Sequence, residues 1–400
     1  MKFAQRTDWE LRPNRFAEAL SAHRSAGREL LDLTASNPPE AGFKYDADAI
    51  LSAFQNPNSL EYHPEPKGLL SAREAVAQYY GSLSKSIPHL RESGTCGAPY
   101  PVDPERIVLT TSTSEAYTYA FRLLCDPGDE VLIPTPSYPL FEYLAGLQDV
   151  NLVQYPLFYD HGWHIDFYAL RQAIGPRTRG IILVNPNNPT GSYVRDSERT
   201  ELNAICGSHG LALIVDEVFL DYTLGDAQTS FAFNDVSLTF TLSGISKISG
   251  LPQMKLAWMV VNGPDAIRRE ALARLEVIAD TYLSMNAPVQ LAAPTLLAQR
   301  SSIREQLMAR VGSNLSELDR QISGTALDRL HIDGGWYAVV RVPRVQADEE
   351  LAISLLQQQN VLVQPGYFYD FPNDGYLVLS LITPEMTFRE GLKRLLLAAN

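Results

Sequence analysis

Only three cysteines, Cys96, Cys125 and Cys206, occur in 400 residues, and no two stand in a CxxC spacing. A disulfide framework or a zinc ribbon needs more thiols at closer intervals, so the sequence reads as one of free thiols in a reducing compartment. No stretch approaches the roughly 18 apolar residues of a membrane-spanning helix, and the opening MKFAQRTDWELRPNRFAEAL lacks the apolar core of a secretory signal. Basic residues are short too: 33 Lys and Arg stand against 46 Asp and Glu, a formal net charge of −13. That balance argues against non-specific binding to nucleic acid or anionic membrane, since both need a basic face. Internal repeats and low-complexity tracts are missing as well. The expectation is a cytoplasmic globular protein.

The length suggests two domains. RIVLT (106–110), EVLIP (130–134), GIILV (180–184), LALIV (211–215), LTFTL (238–242) and LAWMVV (256–261) are short, apolar and rich in β-branched residues. Runs of this kind, bounded by Gly, Pro and Asn, predict strands covered on both faces in a mostly parallel sheet flanked by helices. From residue 291 to 322 the apolar residues fall at helical spacing, and WYAVVRV (336–342), ELAISLLQQQN, VLV (361–363) and YLVLSL (376–381) follow in an α+β pattern. The predicted fold is α/β: a large domain over 46–285, a smaller α+β domain over 286–400, and an N-terminal segment, 1–45, packing on the smaller domain.

In open α/β sheets, ligands sit beyond the carboxyl ends of the strands. After RIVLT comes Ser112-Thr113-Ser114, entering a helix, where hydroxyls and free N–H groups suit a phosphate, although a plain Ser/Thr cap reads the same way. After EVLIP comes PTPSYP, which presents Tyr138. After GIILV comes NPNNPTG (185–191), whose Asn-Pro pairs exclude helix and fix a polar loop. After LALIV comes Asp216-Glu217, whose side chains point to opposite faces of an extended chain. After LTFTL comes SGISKISGLPQMK, with Lys247 and Lys255 on a loop between buried strands, an unusual place for ammonium groups. A phosphate cradle, an aromatic plate, an amide, a carboxylate and a lysine on one edge are what a phosphorylated pyridine aldehyde needs.

On these motifs the chain resembles the class I/II aminotransferases of fold type I, which bind pyridoxal 5′-phosphate (PLP). The resemblance implies that Lys247 forms the Schiff base and Asp216 pairs with the pyridine nitrogen, while Tyr138 stacks on the ring. Asn188 is implied to bond the phenolic oxygen. Ser112, Thr113 and Ser114 are implied to bind the phosphate. It also implies a homodimer with shared active sites, in which Tyr62 of YHPEPKG reaches the neighbour's phosphate. The activity implied is transfer of an amino group from an amino acid or amine donor to a keto acid. The same scaffold also serves PLP lyases, decarboxylases and synthases. It serves PLP-sensing regulators too, but these need a basic DNA-binding domain, and with no room or charge for one in the N-terminal stretch a regulator is not the expectation.

Four positions depart from the family pattern. Lys255 stands where an arginine usually bonds the phosphate, keeping the charge but losing the bidentate fork. Gly244 replaces a serine, leaving Ser243 or Ser246 to supply its hydroxyl. Phe219 replaces a tyrosine that donates to the phenolic oxygen, with Tyr222 as a conceivable substitute. Val378 occupies the place of the substrate-carboxylate arginine, so another cation, backbone N–H groups near Ser36-Asn37, or a substrate without that carboxylate must account for the change. HGWH (161–164) is read as two loop histidines and not a metal site, and GYFYDF (366–371) as a pocket wall.

Overall fold

The computed structural model describes residues 2–84, 101–283 and 285–399; Cys96 lies outside them. Eight strands form the central sheet in the order Ile107–Thr110, Ala257–Asn262, Thr239–Gly244, Ala212–Asp216, Thr178–Val184, Glu130–Thr135, Asn151–Tyr159, Trp163–Ile165. The neighbouring strands from Thr239–Gly244 to Asn151–Tyr159 pair in parallel, whereas Ala257–Asn262 and Trp163–Ile165 run antiparallel to their partners. All six predicted runs are therefore strands of one sheet. Asn151–Tyr159 and Trp163–Ile165 were not foreseen.

Ile181, Ile182, Leu213, Ile214, Phe240 and Val260 are fully buried, as two-sided coverage by helices requires. Helix Thr113–Leu124 inserts Ala116, Tyr117, Ala120 and Phe121 against one face. The predicted long helix is two, Ala287–Ala298 and Arg300–Ile322. Apolar residues up to Leu297 pack with the large sheet, and those from Ile303 onward join the core of the second sheet. That sheet is antiparallel, in the order Asp328–Arg329, Tyr337–Arg341, Tyr376–Ser380, Gln364–Pro365.

Near the N-terminus, Leu31–Asp32 forms a two-residue strand parallel to Val361–Leu362, and helix Arg15–Ser25 packs on helix Asp348–Gln359. Further upstream the chain turns to the large sheet's side: Trp9 meets Tyr143 edge-on and Arg6 pairs with Asp149. The NPNNPTG loop touches the second sheet's approach segment through Gly191, whose carbonyl accepts from the Gly334 N–H at 2.9 Å. Gly191 has φ of +72°, and a Cβ there would lie 2.5 Å from the Gly334 oxygen, so both conformation and space require glycine. Among the described residues, no helix is long and apolar enough to cross a membrane.

Candidate active site

The parallel strands end at Asp216, Val184, Thr135 and Gly244, and a cavity of about 260 Å³ opens beyond them. Thr113, Ser114, Tyr138, Asn188, Asp216, Phe219, Ser246, Lys247, Ser36 and Asn37 all line it. Ten positions picked from separate motifs thus meet around one space.

Lys247 sits in the one-turn helix Ile245–Ile248, directly after strand Thr239–Gly244. Its Nζ donates to the Ser36 carbonyl at 3.0 Å and lies 5.2 Å from the Trp336 ring and 5.8 Å from the Phe219 ring. Burial among these groups pulls its ammonium down to about 8, and the charge of Asp216 resists the change only in part. Asp216 ends its strand deep in the cavity, accepting from the Val218 N–H at 3.1 Å and the Tyr117 hydroxyl at 3.3 Å. Burial pushes its carboxyl up to about 6 despite these donors and Lys247. Glu217 points the other way, as alternation requires. It accepts from the Phe231 N–H at 2.8 Å and from Ser230 Oγ at 2.5 Å. Glu217 therefore braces the fold behind the strand ends, and burial raises it to about 7.

Asn188 is buried and its Oδ1 finds no partner among the described residues. Tyr138 is half-exposed at the cavity and meets Phe141 edge-on. Helix Thr113–Leu124 starts at the cavity, where first-turn N–H groups lack intrahelical acceptors.

Three predicted residues are not in the cavity wall. The Ser112 hydroxyl is occupied as the helix cap, accepting from the Glu115 N–H at 3.2 Å. Lys255 is exposed, on a left-handed backbone (φ 54°) that closes the turn after Pro252–Met254. Tyr62 is 82% exposed on its loop. Of the two alternatives to a serine at 244, Ser246 lines the cavity, whereas Ser243 is buried with its hydroxyl 3.4 Å from the Glu217 carbonyl.

Tyr222 does not reach the cavity wall; its buried hydroxyl donates to the Lys247 carbonyl at 2.6 Å and so holds the lysine's own turn. Val378 is fully buried, opposite Val339 and Gln364 in the second sheet. The GYFYDF segment is mainly core: Tyr369 and Phe371 are buried, and the Tyr369 carbonyl accepts from the Ser137 N–H at 3.0 Å. His164 is in a strand, stacked on Phe158 and bonded to Arg195. Among the described residues, no cluster of His, Cys, Asp and Glu could hold a metal.

Sequence reasoning missed Tyr117 and Tyr337, which both line the cavity. Tyr117 follows Thr113 by one helical turn, a spacing that places both on one face. Tyr337 comes from the second sheet, and nothing local to WYAVV announces the contact.

Comparison with known proteins gives a consistent result. The family described as "Aminotransferase class I and II" matches residues 28–395. The glutamate-pyruvate aminotransferase AlaA of Escherichia coli K12 is 28% identical over 368 residues, spanning 89% of this chain and 87% of that protein. An alanine aminotransferase of Mycobacterium tuberculosis H37Rv is 27% identical over 383 residues, spanning 92% of this chain and 85% of that protein. Among solved structures, an alanine aminotransferase from Pyrococcus furiosus superposes with a TM-score of 0.84 at 21% identity, covering 98% of both chains.

Proposed function

The chain belongs to the class I and II aminotransferases, enzymes that move amino groups with PLP, and from that premise we propose that Lys247 holds the cofactor and transfers the substrate proton. The observation that carries this reading is the shared cavity of Lys247 and Asp216, a half-buried amine and a half-buried carboxylate at adjacent strand ends.

The residues present fit PLP. Asn188 has a buried amide oxygen without a partner among the described residues, so the amide is available to a ligand. Among the described residues Asp216 has two protein donors, and it suits a protonated ring nitrogen. Thr113, Ser114 and Ser246 offer hydroxyls beside a helix start, which suits a phosphate. Tyr138 would cover one face of the ring. Lys255 and Ser112 would act from outside the wall, Lys255 as an exposed counter-charge and Ser112 through the helix turn it caps. When bound, PLP supplies an aldehyde that combines with amines and a ring that takes up the electron pair left on the substrate carbon.

Lys247 Nζ carries out the proton transfer. Burial against Phe219 and Trp336 disfavours its ammonium, so near neutral pH the amine accepts a proton from the amine-bearing carbon far more readily than an exposed lysine. Asp216, ionised above about pH 6, would hold the proton on the ring nitrogen. Tyr222 keeps the lysine's turn in place. Tyr222→Phe is expected to lower kcat by roughly 10-fold with little change in KM, since a small displacement of a reacting group is costly. Steady-state kinetics, with circular dichroism to confirm folding, checks this outcome.

The test of the reading is a half-reaction. An amine donor added without acceptor converts the bound aldehyde form to the amine form of the cofactor in one equivalent and then stops. Continued turnover without acceptor contradicts it.

We also read the protein as a cytosolic homodimer. The support is two cysteines, Cys125 and Cys206, without disulfides, and an exposed loop carrying Leu60 and Tyr62. Tyr62→Phe is expected to weaken PLP binding by about 10-fold in an equilibrium titration, the scale of one hydrogen bond to a charged group. Sedimentation should give twice the chain mass of 44.4 kDa.

A further inference from the structure

The transfer centre touches the N-terminal segment, because Lys247 Nζ donates to the Ser36 carbonyl at 3.0 Å. A substrate amine taking the place of Lys247 Nζ would lie beside Ser36. Three bonds fix what stands there. The Ser380 N–H donates to the Leu33 carbonyl at 2.7 Å, Ser380 Oγ to the Ala35 carbonyl, and the Leu381 N–H to the Trp336 carbonyl at 2.8 Å. The first two tie Leu33 and Ala35 to the strand end beside Tyr337, which pairs with Ser380 in register, and the third joins the two strands there.

Tyr337 lines the cavity together with Ser36, Asn37 and Tyr138. Burial pushes its hydroxyl up to about 12, so it remains a donor across the neutral range. The corner next to the amine thus offers two hydroxyls and an amide, none of them charged. Among the described residues, Lys247 is the one cationic side chain in the cavity wall. Arg300 is held by Asp221, and Arg304 and Arg310 by backbone carbonyls.

We infer that Tyr337, with Ser36 and Asn37, receives the substrate's carboxylate through uncharged donors, which makes Tyr337 a specificity-determining residue. The inference rests on Lys247 as the transfer centre. Uncharged donors select a carboxylate less strongly than a bidentate guanidinium does. An amine of the same skeleton but without the carboxylate is therefore a usable donor.

The test takes the best α-amino acid from a donor screen and the amine that remains after removal of its carboxyl group. In the wild type, kcat/KM should favour the acid by no more than about 100-fold, the scale of hydrogen bonds to a charged group. In Tyr337→Phe, the acid's KM should rise about 10-fold while kcat and the amine's KM stay within about twofold. Asn37→Ala should show the same split, which keeps the test decisive if Tyr337→Phe does not fold. The inference is overturned if no α-amino acid is a donor, if the acid is favoured by more than about 10⁴-fold, or if acid and amine shift alike. Borohydride trapping of PLP at Lys247 is read separately; its failure strikes the proposed function, whereas a wrong KM split with normal trapping strikes only Tyr337.

Discussion

Lys247→Ala is expected to abolish turnover, by roughly 10⁴-fold or more, because it removes both the covalent anchor and the proton carrier. The variant should still take up PLP through Asp216, Asn188 and the Thr113–Ser114 turn, but without the absorbance of a protein-bound imine. Folding should survive. Below about pH 8 the wild-type lysine is a charged group held in a poorly solvated place, so losing it removes an unfavourable desolvation. The sign follows from proton binding. Its folded value, about 8, lies below the ordinary 10.5, so the unfolded chain binds more protons between these values and stability rises with pH across that window. A loss of activity at neutral pH in a folded variant therefore reports chemistry. Titrating an exogenous small amine into Lys247→Ala and watching the spectrum checks that the cavity itself is intact.

Asp216→Asn is expected to have the second-largest effect, lowering kcat by roughly 10³-fold as a preorganised charge is lost. The same substitution should stabilise the cofactor-free protein. Burial raises Asp216 from 3.8 to about 6, so the folded chain binds more protons between these values. Stability therefore falls as pH rises through that window and stays reduced above it, by on the order of 3 kcal/mol. Asparagine is uncharged and its oxygen can still accept from Tyr117 and Val218. Thermal unfolding without PLP should show a higher Tm than wild type at pH 7 and no gain at pH 4. Equal Tm values at pH 7 would mean that Asp216 is well solvated, contrary to the geometry.

Much of this architecture is legible in the amino-acid order, for identifiable reasons. Buried parallel strands are continuous apolar runs, so the six central ones stand out. Asn151–Tyr159 does not, because it is largely solvent-facing and carries Pro156, which argues against a strand interior. Trp163–Ile165 is too short to show a period. The ligand edge is legible because four of the parallel strands deliver a polar or aromatic group at or just after their ends: Asp216 at the end of its strand, and Tyr138, Asn188 and Lys247 within four residues after Thr135, Val184 and Gly244.

What escapes is set by contacts between distant segments. Tyr337 and Ser36 are 301 positions apart in the chain and share the cavity wall because Ser380 ties Leu33 and Ala35 to the second sheet. Tyr222 lies near Asp216 in sequence, yet its hydroxyl goes to the Lys247 backbone and not to the cavity. Lys255 is eight residues from Lys247, but the left-handed turn at Lys255 leaves its side chain exposed. Local spacing carries none of this information.

Reduction of the PLP-loaded protein with borohydride, followed by peptide mapping by mass spectrometry, tests the central claim most directly. The expected result is one peptide carrying the reduced cofactor, with the modification on Lys247. A label on Lys255 or another lysine, or no label on a protein that has bound PLP, contradicts it.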